Sequence, residues 1–341
     1  MFKKTLFVLA ACVGATSMPA VQAQEKEVTI KFSHTLPTKH PLHPTGFEKW
    51  AESVTKASGG SIKFAFFPAS QLGQAKDHYD MARDGIADMV WANPGHSPGR
   101  FPIAAAGEIP FLISNGLAGS RAYDEWYARY AAREMGDVHF CMMQLHDPGT
   151  FHTRKPLHVP ADLKGMKIRP ANGTVAQYIQ AQGGANVQVG PSEAREVLAK
   201  GTADGITFPW RSIFVFGMDE LVTHHIDLPF YVTTFSILMN KGTYEKMSPA
   251  QKKVIDEHCT PEWAEKITAG WVDFDDEGRG MLAKKAGHAV YKPTAAELEQ
   301  WKAAAEPLRK EWIKNAAKKG VDGEKAFKDL LETLKKHNSL L

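Results

Sequence analysis

Cysteine is scarce in this chain: 341 residues hold three, and only Cys141 and Cys259 lie beyond a leader-like start. Two cysteines make no disulfide framework, and their distance in sequence does not say whether they meet, so both are read as packing residues. Long apolar runs are also missing. Leu6 to Val13 is far shorter than the roughly 20 residues of a membrane helix, and no later stretch approaches that length. Nor is there an excess of one charge: 41 Lys+Arg against 38 Asp+Glu leave +3, which favours no nucleic-acid partner. No glycine-rich phosphate motif occurs in its required form, and no low-complexity linker divides the chain.

What is present at the start is Lys3 and Lys4, the short apolar run, then Val21, Gln22 and Ala23 with small residues where a signal is cut. The expectation is a signal peptide over 1–23, cleaved near Ala23, and a mature protein in the periplasm. Cleavage removes two lysines and brings the formal charge to +1. A rival reading takes Leu9 to Cys12 as a lipoprotein box, with a lipid on Cys12. With 43% hydrophobic and 23% charged residues, the remainder is globular and long enough for two cores.

The stretch from Asp162 to Trp210 reads as a strand-helix-strand-helix-strand unit. Met166 to Arg169 alternates at period two and stops at Pro170. A helix from about Thr174, its cap, to Gln182 ends at Gly183-Gly184. Ala185 to Val189 is the next strand, Ser192 caps the next helix, and Gly205 to Phe208 is the last strand. Right-handed crossovers make the three strands parallel, so Arg169 and the run Phe208-Pro209-Trp210 sit on the edge where open α/β sheets bind ligands. The same order occurs earlier: strand Val28 to Phe32, a helix ending at Gly59-Gly60, strand Ile62 to Phe67, a helix from about Gln74 to Arg83, and strand Ile86 to Trp91. Gly85-Ile86-Ala87-Asp88 matches Gly201-Thr202-Ala203-Asp204 in position. Further on, Ala118 to Met135 reads as a helix, Val138 to Leu145 as a strand, and Phe235 to Met239 as a strand returning to the first unit. Ser248-Pro249 opens a helical region that Pro261 interrupts, and two lysine-rich amphipathic helices end the chain.

The pattern Gly95-His96-Ser97-Pro98-Gly99 fits a hydrolase elbow, but Pro98 has no N–H for an oxyanion, and Pro98 and Pro102 break any following helix. His34, His40, His43 and His224-His225 match no metal-ligand spacing and read as exposed loop residues. Arg169 is open to two readings: a surface arginine paired with Asp162 or Glu196, or, beside Asn172, a fork for a carboxylate. His152 and Arg154 are weaker candidates for the same anion, and Phe151, Phe208 and Trp210 would bracket its apolar body. His34 and Asn93, in the loops after two first-unit strands, complete the candidate ligand set.

The run from Asp162 to Arg169, Gly183-Gly184-Ala185-Asn186, Ser192-Glu193, and Ala203-Asp204-Gly205 followed by Pro209 resemble the DctP-type solute-binding proteins of tripartite ATP-independent periplasmic (TRAP) transporters. The likeness extends over nearly all of the mature chain. It implies an α/β fold of two lobes, each a mainly parallel sheet flanked by helices, with a long helix spanning both. Lobe I would take 24–146 and about 235–270, and lobe II 147–234 and about 271–341. It further implies a monomer without enzyme activity, metal or cofactor, delivering an organic acid to a permease of a small and a large subunit. Arg169 falls on the family arginine that holds the ligand carboxylate. Ile206-Thr207-Phe208 stands where many relatives carry a Gln-Glu-Asn run, and Phe151 where some carry a further arginine. Both departures favour a monocarboxylate with an aromatic or apolar body. A small aliphatic hydroxy or keto acid is the competing ligand, and an exported hydrolase the competing class.

Overall fold

The computed structural model describes residues 25–341, and Phe2 apart from them; the expected Ala23 cleavage site and the Cys12 alternative lie outside the described residues. The first unit runs β1 (Val28–Ser33), a π-helical turn over Leu42–Phe47, α1 (Glu48–Ala57), β2 (Ile62–Phe67), α2 (His78–Arg83) and β3 (Met89–Ala92). Ile30 and Phe32 of β1 alternate onto the buried face, and Trp50, Ala51 and Val54 of α1 cover it at helical spacing. β3 begins later than the sequence suggests, because the Ile86 and Ala87 amides bond the Met81 carbonyl and close α2 instead.

α3 (Gly116–Tyr127) stops eight residues short of the expected Met135; α4 (Ala131–Glu134) follows after a turn, and β4 (His139–Leu145) leads out. β5 (Thr150–Thr153), β6 (Lys167–Arg169), α5 (Gly173–Ala181), β7 (Ala185–Asn186), α6 (Pro191–Ala199) and β8 (Gly205–Phe208) build the second unit. Two caps differ from expectation. Asn172, not Thr174, caps α5 by accepting from the Val175 amide at 2.9 Å. α6 starts at Pro191 after Gly190, whose amide donates to Glu193 Oε2 at 3.1 Å, so Ser192 lies inside the helix. β7 keeps only two of its five expected residues, and beyond it the Val189 carbonyl turns to Arg169 Nε.

The chain continues with α7 (Ser212–Val215), β9 (His224–Ile226), β10 (Thr234–Met239), α8 (Lys241–Glu245), α9 (Pro249–Glu257) and α10 (Pro261–Asp275). It ends with α11 (Gly278–Lys284), β11 (Ala289–Tyr291), α12 (Ala295–Ala317) and α13 (Gly323–Lys336). Two mixed sheets result, β2-β1-β3-β10-β4 and β11-β9-β5-β8-β6-β7. Each holds a parallel triplet, β2-β1-β3 and β8-β6-β7; β10, antiparallel to both β3 and β4, completes the first sheet with β4, and antiparallel β5 joins the second triplet to a parallel β9-β11 pair. β10 crosses back between β3 and β4, as expected.

The 23-residue α12 serves both sheets. Trp301 packs with Phe151, Tyr178 and Phe230 in the core of the second, and Trp312 with Trp126 and Phe327 beside the first. The lobe boundaries read from sequence put 271–341 with the second sheet; α13 packs against α3, where Trp126 Nε1 donates to the Ala326 carbonyl at 2.9 Å. The reading of the cysteines needs correcting. Cys141 of β4 and Cys259, in the turn between α9 and α10, are joined in a disulfide across 118 residues of sequence. Sheet packing alone brings them together, which no local pattern reveals.

Candidate ligand-binding site

β6 ends at Arg169, and Pro170 prevents its continuation. The Arg169 side chain is only 2% exposed, and its Nε donates to the Val189 carbonyl at 3.0 Å. The two acids that could have neutralised it are used elsewhere: Asp162 accepts from the His158 and Val159 amides, and Glu196 pairs with Lys200. Among the described residues no carboxylate lies within ion-pair distance of Arg169. Burial pushes its pKa down to about 10, opposed by Tyr231 and Glu193, so it stays charged at neutral pH. A buried cation without an anion is costly, and an anionic ligand removes that cost.

Arg169 faces a cleft with about 540 Å³ of atom-free space, open solvent at its mouth included. Its apolar wall comes from both sheets and from α10: Trp91 and Phe235 stack at 4.0 Å, and Phe208, Phe216, Trp271 and Leu36 extend the surface. The Arg169 guanidinium lies 5.9 Å from the Phe208 ring. Most polar side chains on this wall are already engaged. His146 Nε2 accepts from the Thr233 amide at 3.0 Å, and His40 Nδ1 accepts from the Leu42 amide at 3.3 Å. Ser212 Oγ accepts from Trp271 Nε1 at 2.9 Å and donates to Asp275. Asn93 donates to the Ala171 carbonyl at 3.2 Å and accepts from the Gly95 amide at 2.9 Å. Trp91 Nε1 donates to Gln144 Oε1 at 3.0 Å. Burial holds His40 and His146 neutral, with pKa values lowered to about 3 and about 4.

Of the residues singled out in the sequence as ligand contacts, Arg169, Asn93 and Phe208 line this cavity, and so does His40, read there as a loop residue. The others lie elsewhere. Phe151 is sealed between Phe230 and Trp301 on the opposite face of the second sheet. Asn172 caps α5 and bonds the Val232 carbonyl, joining segments rather than facing a ligand. His152 bonds the Phe208 carbonyl at 3.1 Å and His225 Nδ1 at 2.7 Å, and Trp210 packs edge-on against it beside a separate pocket. Arg154 bonds the Leu198 and Leu221 carbonyls. His34 pairs with His43 at 2.9 Å. His34, His40, His43 and His225 are all buried, which corrects their reading as exposed loop residues; each is bonded to a neighbour in place of water. Gly95 belongs to a tight turn, Pro94–His96, capped by Asn93, so the elbow pattern forms no elbow.

Trp91, His96, Tyr231, Phe235 and Trp271 were not anticipated. For Trp91 a signal existed: the repeated Gly-Ile-Ala-Asp and Gly-Thr-Ala-Asp segments place Trp91-Ala92-Asn93 where Thr207-Phe208-Pro209 lies in the second unit. His96 ends the turn directly after β3, and Tyr231, Phe235 and Trp271 come from crossing segments and α10, whose approach depends on tertiary packing.

The model of the bacterial extracellular solute-binding proteins, family 7 (DctP), matches residues 32–315. The chain belongs to this family. A TRAP solute-binding protein from Rhodoferax ferrireducens T118, solved with copurified benzoate, is 31% identical, covers 91% of this chain and 98% of its own, and has a TM-score of 0.85. A marine-metagenome TRAP protein described as specific for aromatic acid ligands, solved with 3-hydroxybenzoate, is 33% identical over 92% and 99% of the two chains, also at 0.85. A TRAP protein from Bordetella bronchiseptica with bound (R)- and (S)-mandelate is 26% identical over 91% and 99%, again at 0.85. The DctP family and these neighbours are binding proteins, and the two-sheet α/β architecture is theirs.

Proposed function

We propose that this DctP-family protein is the periplasmic receptor of a TRAP transporter and captures an aromatic monocarboxylate without altering it. One observation carries the reading: a buried guanidinium with no carboxylate within ion-pair distance among the described residues, opening onto a wall of aromatic rings. The free nitrogens of Arg169 suit the two oxygens of one carboxylate. The rings suit an aromatic body, which gains burial and about 0.5–1.5 kcal/mol of stacking beyond it. A second carboxylate against Trp91, Phe216 or Phe235 would lose its water and find no cation. The aromatic acids bound by the three neighbours support the same class. Export behind a signal peptide cut near Ala23, action as a monomer, the lobe division about residues 146 and 235, and delivery to a two-subunit permease complete the proposal.

A calorimetric panel of organic acids tests it. Benzoate, phenylacetate, hydroxybenzoates or mandelate should outbind lactate, succinate and sialic acid, and should be recovered unchanged after incubation. A small aliphatic acid ahead by tenfold, about 1.4 kcal/mol, would overturn the aromatic reading, and turnover would overturn the receptor reading.

A further inference from the structure

Two polar side chains of the cavity wall are buried with hydrogen-bonding capacity left over among the described residues: the His96 ring, which has the Ala171 carbonyl beside one nitrogen, and the Tyr231 phenol, which has the Thr207 hydroxyl beside it. The other histidines on the wall, and its asparagine, are engaged within the protein. His96 is held in place by its turn. Asn93 ties that turn to the Ala171 carbonyl, and Gly95 lies so close above α5 that a Cβ there would come within 2.6 Å of Asn172 Cβ. His96 therefore sits near Ala171, two residues past Arg169. Burial and the Arg169 charge lower its pKa to about 3, so it is a neutral imidazole with one N–H and one lone pair. Tyr231 also feels Arg169, while burial keeps it a phenol with a hydrogen to donate.

The His96 N–H has the Ala171 carbonyl beside it, and a carboxylate held by Arg169 accepts from the Tyr231 hydroxyl. It has no hydrogen for the remaining imidazole lone pair. Only a donor on the ligand, near its carboxylate, completes the set. Resting on the aromatic reading above, we infer that the ligand carries a hydroxyl on its α-carbon or at the ortho or meta ring position, that this hydroxyl donates to His96, and that Tyr231 supports the carboxylate. His96 is then the residue that sets specificity for hydroxylated over plain aromatic acids. A para hydroxyl, on the far side of the ring from the carboxylate that Arg169 holds, is directed away from His96 and gains no such bond.

Calorimetry on the full-length chain after export tests this with matched pairs. Mandelate should bind roughly tenfold tighter than phenylacetate, and 2- or 3-hydroxybenzoate roughly tenfold tighter than benzoate, while 4-hydroxybenzoate should not exceed benzoate. His96→Phe should erase the advantage, so that within that variant each hydroxylated acid binds no tighter than its plain partner; His96→Gln, which keeps a donor and an acceptor, should retain part of it. Tyr231→Phe should weaken all the acids alike. If benzoate binds but the hydroxylated acids gain nothing, or if His96→Phe keeps their advantage, this inference is wrong and the aromatic reading stands. If no aromatic acid binds the parent, both fall.

Discussion

At the scale of single residues, Arg169 shows how a side chain can cost the empty protein and serve the loaded one. Among the described residues its guanidinium has one backbone partner and no anion, so the ligand-free fold carries an uncompensated buried charge. Arg169→Leu should therefore weaken binding of an aromatic acid at least tens of fold, in line with about 2–5 kcal/mol for truncating a buried charged pair. It should leave the ligand-free protein no less stable in urea. Arg169→Lys should also lose affinity, since an ammonium cannot reproduce a planar fork bonded to both Val189 and a carboxylate. A clear drop in ligand-free stability for the leucine variant would mean that the arginine is chiefly a strut. Arg169 was legible in the sequence because Pro170 fixes where its strand ends. Phe151 was misjudged because strand register is not written locally: it pairs with Thr207 while Phe208 pairs with Thr150, so the two rings point to opposite faces of one sheet.

At the scale of elements, the parallel triplets were readable from alternating apolar residues and glycine-ended helices, and β10 from its apolar run. Short-range chemistry was less decisive. Thr174 and Ser192 are as good cap types as Asn172, and the choice was made by the chain's path: Asn172 also reaches the Val232 carbonyl, and Pro191 starts α6 ahead of Ser192. Pro261 marks the first turn of α10 after the Thr260 cap, so the expected interruption is a clean boundary between two helices. The disulfide was the least readable feature, since it joins β4 to the α9–α10 turn across 118 residues. A crosslink closing so long a loop restricts the unfolded chain strongly. Replacing both Cys141 and Cys259 by Ser should lower stability by about 2–4 kcal/mol in denaturant unfolding, without changing ligand affinity. A loss of affinity with unchanged stability would instead tie the crosslink to the cavity.

The whole molecule buries ionisable groups of both signs in their neutral forms, and their titrations oppose one another. Burial raises Glu108, bonded by the Thr174 and Thr234 hydroxyls, to about 8, and raises Asp124 and Asp275 to about 7. These acids stabilise the fold below their ordinary values of 4.5 and 3.8, and that stabilisation is lost as pH rises through 7 to 8. Burial lowers His40 and His96 to about 3, and His146 and His152 to about 4. Their stabilisation is present above 6.5 and lost as pH falls toward 3 to 4. Asp80 and Glu125, held below the usual carboxylate range chiefly by hydrogen bonds from Arg100 and Lys336, add to the acid-side loss. Between about pH 4.5 and 6.5 the carboxyl slopes oppose those of the histidines and cancel them only in part, since burial lowers His34 and His225 as well; below that window the histidines act together with Asp80 and Glu125, and above it the buried carboxyls act alone. The expected Tm profile rises from the acid side to a maximum near pH 6.5, less steeply across the window than below it, and then falls to about pH 8. Glu108→Gln should make the alkaline fall shallower, because an amide keeps an acceptor for the threonines and has no proton to lose. Thermal unfolding across pH 4 to 9 at fixed ionic strength measures both curves. A Tm that keeps rising from pH 6.5 to 8 would show that the buried acids ionise freely in the folded protein, and that solvent reaches Glu108 between the two sheets.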